Sequence, residues 1–155
     1  MANFAGITNN FKTKLLTGSH AFSPQDANTN RTVTTADTMY MALYLSSATI
    51  TFSTATAYTT AGELIGTGYT ASGNPLTSTL VSSNGTSSYW TASSNVTWTA
   101  LTASTAIDCA LMYNFTATTK AAVAVFTFSS QTVTAADFTL AMPTNDGATA
   151  LIRVV

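Results

Sequence analysis

From Thr38 to the last residue the chain is written in short runs of period two, rich in β-branched and aromatic residues and separated by turn-forming residues. In the run Thr38–Leu45, Met39, Met41, Leu43 and Leu45 fall on one side and Tyr40, Ala42 and Tyr44 on the other. Val96, Trp98 and Ala100 alternate with Thr97 and Thr99, and Ile107, Cys109, Leu111, Tyr113 and Phe115 share one face of a run over Thr105–Phe115. Further strands are predicted over Val123–Phe128, Phe138–Met142 and Ala148–Val155, and weaker ones at Gly68–Ala71, Leu76–Ser82 and Ser88–Ala92. Turn signals stand between them at Ser72–Gly73–Asn74–Pro75, Ser83–Asn84–Gly85 and Thr144–Asn145–Asp146–Gly147. The crossing segment Ser53–Gly66 has room for one helical turn. Many closely spaced strands without intervening helices predict an all-β fold, a β-sandwich or jelly-roll-like single domain.

The N-terminal part has a different period. Phe4, Ile7, Phe11 and Leu15 recur at spacings of three and four, which predicts a short amphipathic helix over Phe4–Leu16 stopped near Gly18. From there to about Thr38 the chain is polar and irregular and reads as an extended arm. The expected organisation is thus an N-terminal helix and arm over 1–37 and a β-sandwich domain over 38–155.

Charge narrows the function classes. Only 7% of the 155 residues are charged, five Lys+Arg against six Asp+Glu, where about a quarter is usual. Lys12, Lys14, Arg31, Lys120 and Arg153 are too few and too scattered for the basic footprint of a nucleic-acid binder or of a protein bound to anionic membranes. A hydroxyl-rich surface with a net charge of −1 has little repulsion to keep copies apart. Edge strands are ordinarily blunted by Lys, Pro or inward charges; with three prolines in the chain, few of them or of the lysines in strand-like runs, the edges are left to the chain's own loops or to neighbouring subunits, and neighbours are the favoured expectation.

The residues for chemistry are sparse. His20 is the only histidine, and no G-x-S-x-G elbow presents a serine to it. Cys109 sits on an apolar strand face and reads as structural, and being alone it forms no internal disulfide. Glu63 is the only glutamate, which leaves a glycosidase pair without a signal. Asp26, Asp37, Asp108, Asp137 and Asp146 have no metal-loop spacing, and one His with one Cys cannot build a zinc site. Gly62, Gly66, Gly68 and Gly73 lack the strand, helix and Lys of a phosphate loop and read as positive-φ residues of tight connections. Tyr89 and Trp90 are the undecided aromatics, with a sugar-stacking platform as their functional alternative. The Asn-x-Thr triplets at Asn30, Asn84, Asn95 and Asn114 are expected by chance in a chain so rich in threonine. The N-terminus has no basic and apolar leader pattern, and the longest apolar runs, about six residues, are far short of a membrane span. The expectation is a non-enzyme with no catalytic residues, metal or cofactor, made in a cytoplasm.

The runs FKTKLLTGSHAF, MYMALYLSSATI and YTTAGELIGTGYTASGNPL, followed by VTWTALT, ALMYN, AAVAVFTF, ADFTLAMP and ALIR, resemble a class of small tailed-bacteriophage virion structural proteins. The likeness covers most of the chain; Tyr89 and Trp90 lie outside it. It implies a head decoration (cement) protein on the capsid exterior, made in the host bacterial cytoplasm, binding across junctions of the major capsid protein and assembling as a homotrimer. A tail, collar or fibre-attachment protein is the alternative. Phe4, Ile7, Phe11 and Leu15 are the candidate contact to the capsid or a neighbouring subunit, packing on the chain's own domain being the competing reading of the same helix.

Overall fold

The computed structural model describes residues 2–22, 35–77 and 81–155. Residues 23–34, within the expected arm and holding Asp26, Asn30 and Arg31, and 78–80, within the strand expected over Leu76–Ser82, lie outside the described residues.

The chain runs β1 (Gly6–Ile7), α1 (Asn9–Leu16), β2 (Met39–Leu45), β3 (Asn74–Pro75), β4 (Ser82–Ser83), β5 (Ser88–Trp90), β6 (Val96–Asn114), β7 (Ala122–Leu140) and β8 (Ile152–Val154). A five-stranded antiparallel sheet has the order β1-β7-β6-β2-β3, and a three-stranded one the order β4-β5-β8. The fold is all-β and sandwich-like. The main core lies between the sheets and gathers Met39, Met41 and Leu43 of β2, Trp98, Leu101 and Ile107 of β6, Trp90 of β5, Ile152 of β8 and Phe11 of α1.

The large sheet is buried on its other face as well. Tyr44, Cys109, Leu111, Tyr113 and Val125 pack there with Ala48 and Ile50 of the segment after β2. The alternation of β2 is therefore as expected, but it separates two cores instead of core from solvent.

The predicted helix is shorter at its start. Its first turn is extended: Gly6 and Ile7 pair with Val125 and Ala124, and Thr8 then caps α1. The Thr8 hydroxyl accepts from the Phe11 N–H at 3.0 Å and donates to the Ala122 carbonyl at 2.9 Å. Gly18, at φ 64°, ends the helix as expected, its N–H reaching the Leu15 carbonyl.

The largest difference is the β6–β7 ribbon. Four expected strands are two continuous ones of 19 residues each. Straight strands of that length would span roughly 60 Å, whereas a globule of this size has a radius of gyration of about 15 Å. The ribbon fits because it bends at register shifts between Trp98 and Leu101, Leu101 and Ala103, Ala103 and Ile107, and Ile107 and Cys109. Ala100 (φ 49°) and Ala135 (φ 46°) take left-handed conformations in these stretches. The shifts correct two facing expectations: Ala100 is exposed although Val96 and Trp98 are buried, and Ile107 faces the main core while Cys109 and Leu111 face the other. Phe115 falls past the end of β6, stacked on Tyr40 with the Lys120 ammonium over its ring.

The run expected as a strand at Gly68–Ala71 is a turn, and Asn74–Pro75, expected as part of a turn, pairs with Tyr40 and Met41 as β3. Gly73 explains the pairing: at φ 74°, it lies so close to β2 that a Cβ would sit 1.9 Å from the Met41 carbonyl oxygen. Among the described residues, no helix is long and apolar enough to cross a membrane.

Candidate binding surfaces and polar clusters

Phe4, Ile7, Phe11 and Leu15 do not form one face. Phe11 is 2% exposed and belongs to the main core. Ile7 is half-buried in β1. Phe4 is held by backbone bonds to Ile50 and Phe52, and its ring is 58% exposed. Leu15 is partly exposed at the rim of an apolar cleft of about 330 Å³. Phe11, Phe22, Tyr89, Trp90, Ile152 and Val154 line that cleft with Leu15. Of the two undecided aromatics, Trp90 is buried against Phe22 at 5.0 Å between ring centres, and Tyr89 stands half-buried in the cleft wall. No exposed pair of stacked rings is formed by Tyr89 and Trp90.

His20 lies beside the cleft, in aromatic contact with Phe11. Asn114 is the residue that fixes its proton. The Asn114 Oδ1 accepts from the Ala117 N–H, and its Nδ2 donates to Asp37 Oδ2 at 2.7 Å. The remaining Nδ2 hydrogen meets His20 Nδ1 at 3.0 Å, which makes Nδ1 an acceptor and leaves the ring proton on Nε2. Nε2 is buried with no hydrogen-bond partner among the described residues. Burial lowers the His20 pKa; Asp37 opposes this and Lys14 reinforces it. An amide stands between the imidazole and the carboxylate, and among the described residues no hydroxyl or thiol is bonded to the ring, so the trio ties Ala21, Asp37 and the β6 end together. Asn114 itself, one of the Asn-x-Thr positions, is 0% exposed.

Glu63 is the centre of the polar cluster that sequence reasoning passed over. It is 5% exposed, and its carboxylate accepts from Tyr58 OH at 2.5 Å, Tyr69 OH at 2.7 Å and the Ser72 N–H at 2.7 Å. Tyr69 OH in turn accepts from the Leu43 N–H at 3.0 Å, and Tyr113 OH donates to the Ser72 carbonyl. Burial is the first cause raising the pKa values of Tyr58, Tyr69 and Tyr113. With three donors supplied by the fold, Glu63 fastens the end of the crossing segment and the turn after it, residues 58–73, to β2. The only available signal was its isolation: a lone glutamate in a chain of so few charges, six residues before a tyrosine.

Cys109 is fully buried, and burial pushes its thiol up to about 12. Among the described residues no group of three His, Cys, Asp or Glu side chains stands close enough to hold a metal ion.

Four large apolar side chains lie outside both cores and mostly in solvent: Leu16, Ile65, Val155 and Phe4 are 90%, 93%, 90% and 58% exposed. Comparison with protein-family models, curated proteins and solved structures finds no match to the chain.

Proposed function

We propose that the chain is a non-enzymatic structural protein of a tailed-phage virion, a decoration protein that binds across junctions of the major capsid protein and stabilises the head. The observation that carries this reading is the surface: hydroxyl-rich, nearly uncharged, with large apolar side chains exposed and strand edges uncovered among the described residues. A chain acting alone gains nothing from such a surface, whereas one that works inside a multi-copy shell covers it with neighbours. The polar clusters support the same reading, since Glu63 and Asn114 are spent on holding loops to the sheet. The resemblance of the sequence runs to small virion proteins is what supports a place in the virion.

Quantitative mass spectrometry of purified virions tests it. A copy number close to that of the major capsid protein, or a simple large fraction of it, is the expected result. A ratio nearer one in a hundred would move the chain to the tail or its fibres, and its absence from virions overturns the reading altogether.

A further inference from the structure

The distal half of β7 is an open sheet edge. β1 covers β7 only at Ala124 and Val125. From Phe126 to Leu140, no backbone group of β7 bonds any strand other than β6 among the described residues. Most of these residues are exposed. The stretch contains no lysine or proline, and Asp137 is its single charge, so of the usual devices against edge pairing only the bulges are present.

Its side-chain pattern is symmetric. The residues that turn toward the main core are Phe126, Phe128, Val133, Phe138 and Leu140. These positions mirror one another about Val133: 126 with 140, 128 with 138. The odd spacings on either side of Val133 follow from the bulges that change which face the chain presents. The exposed residues repeat the mirror, Thr127 with Thr139 and Thr132 with Thr134. A strand that pairs antiparallel with its own copy about a two-fold axis needs this property, because opposed residues must share a face of the continued sheet.

We propose that two copies of this chain pair antiparallel along Thr127–Thr139, about a two-fold axis at Val133, and join their large sheets into one. Phe128 then stands opposite Phe138 of the second copy, and Thr132 opposite Thr134. Asp137 stands opposite Ser129 of the second copy, which keeps the only two charges of the contact far apart. The absence of charge favours an identical partner, since a charged strand would find nothing complementary here and a second copy finds nothing repulsive. The paired stretch is roughly 43 Å long. This contact is two-fold, where the sequence led to an expectation of trimers, and it stands or falls independently of a place in the virion.

The full-length chain carrying V133C tests the register. On the axis the two Cα atoms come within about 4.5–5.5 Å, inside disulfide range, and buried Cys109 gives no background. Mild oxidation is expected to cross-link V133C and to leave S47C, on an exposed loop residue, monomeric on gels. By analytical ultracentrifugation the unsubstituted chain is expected to be a dimer. T132K/T134K sets like charges opposite each other and weakens the dimer by roughly tenfold or more; T132K/T134E sets opposite charges there and restores it. Both positions are exposed, and circular dichroism confirms that each variant is folded. A chain that stays monomeric at all concentrations overturns the proposal and leaves the edge to a strand of another protein. So does a dimer that V133C fails to capture, or one in which T132K/T134E is as weak as T132K/T134K.

Discussion

Near its connecting loop, over Ile107–Asn114 and Ala122–Val125, the β6–β7 ribbon has neighbours on both edges and cores on both faces. Beyond Thr127 the same ribbon has one buried face and, among the described residues, one bare edge. The two regions share a chain, a hairpin and a composition dominated by Ala, Thr and Val. What separates them is neighbours: β2 and β1 flank the first, while in the second the loop around Gly66–Tyr69 reaches only the β6 side. Thr102 N–H donates to the Thr67 carbonyl there, and a Cβ on Gly66 would sit 2.1 Å from the Thr102 carbonyl oxygen. The first region holds the fold and the second presents a surface. Stability and association should therefore respond to different substitutions.

The largest effect is expected from truncation in the two regions. Leu111 is fully buried, and Leu111→Ala should cost about 2–5 kcal/mol in urea unfolding. Val133→Ala, at a half-buried position, should cost the monomer less than about 1 kcal/mol. Cys109 provides a second readout. Its buried, largely protonated thiol reacts with a disulfide reagent only through opening of the sheet, so Leu111→Ala should speed labelling about a hundredfold. Val133→Ala should leave that rate unchanged. Equal costs at the two positions would break the comparison.

Glu63 extends the first region to the crossing segment, and its loss is the next largest effect. Glu63→Ala takes the acceptor from two tyrosine hydroxyls and the Ser72 N–H in a partly buried setting, a cost of about 3 kcal/mol. Tyr58→Phe removes one donor, leaves the carboxylate two others, and should cost about 1 kcal/mol. Thermal unfolding of the two variants checks the order. If Glu63→Ala is as mild as Tyr58→Phe, the cluster does not hold the segment to β2.

The strands of the first region were legible because each residue there faces a core: the alternation of Met39, Met41 and Leu43 with Tyr40, Ala42 and Tyr44 carries a full apolar signal. The second region was not. Its middle, around Ala100–Ser104 and Ser129–Asp137, is small and polar and reads as interruption, although the backbone continues through it by bulging at two alanines with positive φ. Phe4, Ile7, Phe11 and Leu15 mislead for a related reason: spacings of three and four persist across a junction of strand and helix, so residues that share a period end in different places. The Asn114 cluster was out of reach because its partners meet only through tertiary structure, His20 and Asn114 being 94 positions apart; the partners of Glu63 lie within nine positions of it, but no periodic pattern marks which hydroxyls turn toward it. The mirror about Val133 is different. It is present in the sequence, but it acquires meaning only once the edge that displays it is known to be bare.

The smallest effect is set by pH, and it belongs to the buried side of the molecule. His20 is held below its ordinary pKa by burial, so in the acid range the unfolded chain binds a proton that the folded chain resists. Stability is then complete above the unfolded value of about 6.5 and falls as the pH drops below it. The loss levels off once the pH passes below the folded value. His20→Phe keeps an aromatic ring beside Phe11 and Phe22 and abolishes the titration, and the Asn114 Nδ2 retains its bond to Asp37. Urea midpoints measured from pH 7.5 downward should decline for the parent chain and run flatter for His20→Phe. Dimerisation through β7 should show no matching pH dependence, since no titratable group but Asp137 lies on that edge. A His20→Phe variant whose stability falls as steeply as the parent's would place the acid sensitivity in the carboxylates instead, with Asp146, held below its ordinary pKa by the Ala148 and Thr149 N–H groups, the first to test.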